Sequence, residues 1–211
     1  MIVVTGCYGI EARWISRRPD VRIVHTAIGE RSQETMEEFR DEGADVSLLI
    51  ASGFCGGVDP RIRRGHLFLA HAVRHRGEEV RIDPDLFGRA RQALDGEAAE
   101  LHTGLCASVN RVLQQDEKRA LAADDVSTVD METGPLARWA ADRGIPFLAL
   151  RAVLDPVDTD VPFSTGRPLW VSALRHPIAA ARTAHSAFVA GRALGTGIDA
   201  VVEAFAGRSD E

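Results

Sequence analysis

Short runs of apolar residues alternate along the chain with longer stretches in which apolar positions recur every three or four residues. The runs Ile2 to Thr5 and Val46 to Ala51 are nearly continuous, and Val21 to Thr26 sets Val21, Ile23 and Val24 among polar residues; all three predict buried strands. Leu67 to Val73, Leu101 to Ala107, Val126 to Met131 and Phe147 to Val153 extend the series. Between them, Arg31 to Asp41 sets Met36 and Phe39 on one helical face. Pro84 to Leu94 opens with a proline, which suits a first helical turn, and turns Leu86, Phe87, Ala90 and Leu94 inward. Glu132 to Arg143 reads as a helix stopped by Gly144 and Pro146. From about Leu169 to Phe205 the chain is Ala-rich and mainly helical. Buried strands alternating with helices predict a single α/β domain with a mostly parallel central sheet flanked by helices. No repeat, linker or low-complexity tract divides the chain, and the irregular stretch is Asp155 to Pro168, with three prolines.

Composition narrows the classes of partner. With 211 residues, 45% hydrophobic and 27% charged, the chain buries a sizeable core without disulfides or metals. Its net charge of -6 argues against nucleic acid, whose phosphates call for a basic excess, but not against a nucleoside. Cys7, Cys55 and Cys106 are too few and too far apart for a disulfide framework and read as reduced thiols of a cytoplasmic protein. The start, Met-Ile-Val-Val-Thr-Gly, lacks the form of a signal peptide, and no run of about 18 apolar residues predicts a membrane span. The seven histidines show no H-x-x-H or H-E-x-x-H spacing, so no metal and no cofactor are expected.

Four segments can carry chemistry. Thr5 to Arg13 follows the first strand and holds Gly6, Gly9 and Glu11 where α/β proteins bind ligands; the same residues also read as a tight turn with an acid in a first helical turn. Gly53-Phe54-Cys55-Gly56-Gly57 permits close backbone approach to a ligand, or simply a crossing out of the sheet, with Cys55 as a small packing residue. Val129-Asp130-Met131-Glu132 lies at a strand-to-helix junction, where an acid also complements the helix dipole. Arg151-Ala152-Val153-Leu154-Asp155 ends a strand on an acid, and Asp before Pro156 is equally a turn former.

In their order and spacing these segments resemble the nucleoside phosphorylase superfamily over residues 1 to 158. The motifs are nearest to those of the methylthioadenosine/S-adenosylhomocysteine nucleosidases: a first loop with Glu, a G-x-x-G-G segment, V-E-M-E, and R-A-x-S-D. The matching residues are Glu11, Gly53 to Gly57 with Gly65-His66, Val129 to Glu132, and Arg151 to Asp155. Phe54 departs from the usual small residue, Gly65-His66 from Gly-Asp, and Leu154 from the Ser that would orient the acid. The stretch from Val73 to Pro84 is shorter than in nucleosidases. The tail, through Arg167-Pro168-Leu169-Trp170, Arg175-His176-Pro177 and Gly191 to Gly195, is similar to the hopanoid-associated branch, whose implied substrate is adenosylhopane.

The resemblance implies cleavage of the N-glycosidic bond of an adenine nucleoside through an oxocarbenium-like sugar. It implies Asp155 as the acid at purine N7, Glu132 on the ribose 2′- and 3′-hydroxyls, Met131 against the sugar, and Glu11 activating water. Gly53, Phe54 and Gly56 would border the substrate. Ser108 to Val112, including Arg111 and Val112, is a candidate base wall or a plain strand-to-helix link. Hydrolysis is favoured over phosphorolysis, because a carboxylate about 4 Å from phosphate costs about 4 kcal/mol at an effective dielectric near 20. A nucleoside-binding sensor is the alternative of another class, and retention of all three carboxylates speaks against it. The superfamily implies a homo-oligomer, most simply a two-fold dimer. A stripe of Leu169, Trp170, Leu174 and Ile178 beside Arg175, His176 and Arg182 fits a helix that touches a membrane surface or packs on the sheet.

Overall fold

The computed structural model describes residues 1–6, 13–41, 43–159 and 177–206, except the side chains of 41 and 177–183. Its strands are β1 (Ile2–Gly6), β2 (Val21–His25), β3 (Leu48–Gly57), β4 (Leu67–His75), β5 (Glu78–Arg81), β6 (Leu101–Ser108), β7 (Val126–Asp130) and β8 (Phe147–Asp155). Its helices are α1 (Arg31–Asp41), α2 (Pro84–Leu94), α3 (Gln115–Ala122), α4 (Thr133–Ala141) and α5 (Pro177–Ala206). The loop at Glu11 and the stripe from Leu169 to His176 lie outside the described residues, as do the side chains of Ile178 and Arg182.

The strands form one mixed α/β sheet in which five of the eight pairings are parallel. Strands β3, β8, β4, β6 and β7 pair in a closed ring, with β2 and β1 extending from β3, and β5 from β4. Closure depends on β3. Its first half, Leu48 to Ala51, pairs with β1, and its last residues, Gly56 and Gly57, pair with β7. Between them Gly53 takes φ +138°, which a residue with a Cβ rarely adopts, and a bulge follows at Cys55/Gly56. The glycine segment is therefore the second half of a strand rather than a loop after Ala51. Pairing with β8 from Leu49 to Gly56 supplies the backbone bonds that its poor strand propensity does not suggest.

The other elements follow from local chemistry. In α2, Asp83 accepts from the amides of Asp85 and Leu86 at 3.0 and 2.9 Å, and Pro84 follows at the first helical position. Helix α4 ends on Gly144 at φ +63°, with the Ile145 amide bonded back to Ala140 at 3.0 Å. On α5, Ala190, Leu194, Ile198, Val201 and Val202 are buried, a helical stripe laid chiefly on β8. Each large side chain so buried contributes roughly 1.5–3 kcal/mol of hydrophobic stabilisation.

Two elements escaped the apolar pattern. The short stretch between Val73 and Pro84 is a hairpin: β5 returns antiparallel to β4 through Arg76 and Gly77, both at positive φ. Its sequence, Glu-Glu-Val-Arg, has one apolar residue. Helix α3, Gln-Asp-Glu-Lys-Arg-Ala-Leu-Ala, starts with five polar residues, and Glu117 closes a capping box onto the Gln114 amide at 2.9 Å. No described helix is long and apolar enough to cross a membrane.

Candidate active site

Where β3, β6, β7 and β8 end, their terminal residues surround a pocket of about 180 Å3. Strand β3 contributes Phe54, Cys55 and Gly56. The turn after β6 contributes Val109, Arg111, Val112 and Leu113. The end of β7 contributes Val129, Asp130, Met131 and Glu132, and β8 contributes Leu154 and Asp155. Ile28, beyond β2, and Lys118, on α3, complete the lining. Seven of the residues singled out from the sequence thus face one cavity: Phe54, Gly56, Arg111, Val112, Met131, Glu132 and Asp155. Gly53 does not line it; its place is the bend in β3. Glu11 lies outside the described residues.

Beneath the pocket lies a buried polar network. The Arg151 guanidinium meets Asp130 Oδ2 at 2.7 Å, with both side chains at most 2% exposed. Arg151 also donates to the Ser52 carbonyl at 2.9 Å and to Thr133 Oγ1 at 2.6 Å. Ser108 Oγ donates to the other oxygen of Asp130 at 2.8 Å, and the Thr133 hydroxyl donates to Oδ2. The network ties β3, β6, β7, β8 and the start of α4 together, so the residues after Asp130 and after Arg151 are held in fixed relation. Asp130 and Arg151, from the third and fourth motifs, therefore act as anchors. Met131 and Glu132 stand directly after the first of them, and Asp155 stands four residues after the second.

Asp155 lies opposite Gly56 in the β3–β8 register, with its side chain 20% exposed. Burial pushes its carboxyl above the ordinary range, and the neighbouring Lys118 ammonium opposes that rise. Lys118, almost wholly buried, donates from Nζ to Asp155 Oδ2 and, at 3.3 Å, to the Asp155 carbonyl. A Cβ on Gly56 would stand 3.1 Å from Lys118 Nζ and from Asp155 Oδ2, so glycine makes room for the pair. Leu154, the residue before Asp155, has no hydroxyl, and the contact to Oδ2 comes from Lys118.

The other cation of the lining, Arg111, forms two bonds to Glu117, which it holds down at a pKa of about 2. Both cations are thus matched by carboxylates. Burial pushes the Cys55 thiol well up, which suits a packing residue and not a nucleophile. Away from this pocket, His66, Glu100 and His102 bring ligand-capable atoms within 4.8 Å of one another where β4 and β6 begin, a cluster that spacing along one strand or helix does not reveal. There His66 Nδ1 and His102 Nε2 stand 2.9 Å apart and share a hydrogen bond.

Lys118 was not anticipated, because α3 itself was not. Two signals pointed to it. Leu121, one turn later, marks the inward face of the helix, and Lys118 is the only lysine of the chain.

A family model described as the phosphorylase superfamily matches residues 18–184. The 5′-methylthioadenosine/S-adenosylhomocysteine nucleosidase of Colwellia psychrerythraea, solved in complex with adenine, aligns over 96% of this chain and 94% of its own, at 14% identity and a TM-score of 0.73. The corresponding nucleosidase of Neisseria meningitidis, in complex with methylthio-immucillin-A, aligns over 96% and 98%, at 16% identity and 0.74. Futalosine hydrolase of Helicobacter pylori aligns over 94% and 97%, at 16% identity and 0.71. Likeness at these identities shows a shared fold, mixed sheet included.

Proposed function

Because the chain belongs to the phosphorylase superfamily, we propose that its pocket cleaves the N-glycosidic bond of a purine nucleoside, with water as the acceptor. The observation that carries this reading is the meeting of Asp155, Glu132 and Met131 with the glycine-rich end of β3 around one cavity. A purine leaves poorly as an anion, so a proton must reach N7 as the bond to C1′ breaks. Asp155 supplies it, since burial raises its carboxyl toward working pH. Glu132, 9% exposed after β7, takes the ribose hydroxyls, and Met131 lies against the sugar. Phe54, Val109 and Val112 offer apolar surface to the base.

Water is favoured over phosphate on charge. Phosphate calls for cations. The two cationic side chains among the described lining residues, Lys118 and Arg111, are engaged by Asp155 and Glu117. Glu11 is assigned to activating the water on its place in the first motif. Adenine is the favoured base, as in the complex of the Colwellia nucleosidase. The tail's similarity to the hopanoid-associated branch favours a bulky apolar 5′ group, and Ile28, 44% exposed at the rim, offers such a group a contact.

One assay separates these points. Purified protein is given methylthioadenosine or an adenosine bearing a long alkyl 5′ group, with and without phosphate, and the sugar product is identified. Free sugar is expected in both buffers, with kcat/KM higher for the alkyl substrate, and Glu11→Gln should abolish turnover. Sugar 1-phosphate formed only with phosphate would replace hydrolysis by phosphorolysis. Preference for methylthioadenosine would remove the lipid substrate and leave hydrolysis in place.

A further inference from the structure

The chain has 25 basic Lys and Arg residues, and 24 of them are arginine. The single lysine is Lys118, and it is buried against Asp155. A chain that uses arginine at every other such position has used lysine at a buried place in the lining of the pocket. An ammonium is a compact point charge, whereas a guanidinium is a broad planar fork. Here the space is bounded by Gly56, whose missing Cβ would stand 3.1 Å from Lys118 Nζ and Cε. The same ammonium contacts both Oδ2 and the main-chain carbonyl of Asp155, and the preceding residue, Leu154, has no hydroxyl that could make such a contact.

Building on the nucleosidase reading, we infer that Lys118 is a positioning residue for the reaction: it clamps Oδ2 and the carbonyl of Asp155, turns Oδ1 toward the purine, and carries the counter-charge that Asp155 needs when its proton leaves. Asp155 takes a proton from solvent and passes it to N7. The bond from C1′ to N9 breaks, and its electron pair stays on the base. Water adds at C1′ and releases one proton, so the count closes. During that transfer the Asp155 carboxyl becomes a carboxylate in a buried setting. The Lys118 ammonium favours the carboxylate over the acid, so its effect grows as the proton departs.

The charged and titratable groups around this pair come from several elements. Lys118 reaches in from α3, and Arg64, before β4, donates to the Leu154 carbonyl at 3.3 Å. Cys55 lies on β3, and Asp130 and Glu132 stand at the end of β7. Of the cations, Lys118 is the one in contact with the carboxylate itself.

Removing an adjacent positive charge raises a carboxyl pKa, so the pH at which the acid form is lost moves upward. In Lys118→Met and Lys118→Gln, the alkaline limb of kcat should move up by about one pH unit or more. At neutral pH kcat should fall severalfold or more, because the acid has become weaker and is no longer held in place, with KM within about threefold. Lys118→Arg keeps the charge and should leave the limb near its wild-type position, though its larger head lowers kcat. A lysine that only filled space would leave the limb unmoved in all three. If the neutral variants fail to fold, the wild type decides. Labelling with [15N]lysine gives one side-chain signal, because the chain has one lysine. That signal should shift on adding adenine and should change in Asp155→Asn. An unmoved limb in folded neutral variants, or a lysine signal indifferent to both, would overturn the role of Lys118. If Asp155→Asn is nevertheless inactive, the nucleosidase reading stands without it. Full activity in Asp155→Asn would instead take the acid role away from Asp155, and with it the role of Lys118.

Discussion

Asp155→Asn is expected to fold as the wild type does and to lower kcat on an adenine nucleoside about 100-fold or more, the scale of a lost general acid. The exchange keeps the size of the side chain and one hydrogen-bond acceptor for Lys118. It removes the group whose ionisation burial has pushed upward. The loss should fall on kcat more than on KM, because the proton is needed as the bond breaks and not when the substrate docks. The alkaline limb of the kcat profile, where Asp155 loses its proton, should vanish with it. A variant within a fewfold of wild-type kcat would take the acid role away from Asp155.

Arg151→Met is expected to cost stability on a larger scale than any change at the pocket rim. Arg151 and Asp130 are at most 2% exposed and pair at 2.7 Å. Removing one member leaves a buried carboxylate without its counter-charge, which costs about 3–5 kcal/mol. The same change strips hydrogen bonds from Ser52 and Thr133. The urea midpoint should therefore fall steeply with little change in slope. The double variant Arg151→Met with Asp130→Leu should recover part of the loss, because the uncompensated charge is gone. A single variant within about 1 kcal/mol of wild type would mean that the network contributes little to holding the site together.

Most strands were legible because burial on both faces leaves an unbroken apolar run. Ile2 to Val4 and Phe147 to Leu150 are such runs, and both lie in strands. Helices α1 and α2 were legible to the residue, one from the period of Met36 and Phe39, the other from Pro84 and its inward leucines. What escaped has a common physical cause. Strand β5 lies on the rim of the sheet and buries almost nothing, and α3 turns a lysine inward where the helical period leads one to expect an apolar side chain. The end of β3 was hidden differently. Gly53, Gly56 and Gly57 have no intrinsic preference for the extended state, and it is the neighbouring β8 and β7 that hold them so.

The site was legible in its parts through resemblance and in its layout only through the fold. Nothing along the chain says that Phe54, Val112, Glu132 and Asp155 share a cavity, since they sit on four different segments. Nor does the chain show that Asp130 and Arg151, which in sequence are only neighbours of the acids, form the buried pair beneath them. Asp155, preceded by Leu154 where the motif has a serine, is contacted by a residue 37 positions earlier, Lys118. Such contacts across a site are invisible to motif spacing, because they are made in space.

The reading of this pocket as a purine nucleosidase site meets its most direct test in a crystal structure with adenine and a ribose-like transition-state mimic. The base is expected between Phe54 and Val112, with N7 within hydrogen-bond reach of Asp155 and the sugar hydroxyls on Glu132. A ligand bound elsewhere, or seated with its sugar toward Asp155 and its base toward Glu132, would contradict it.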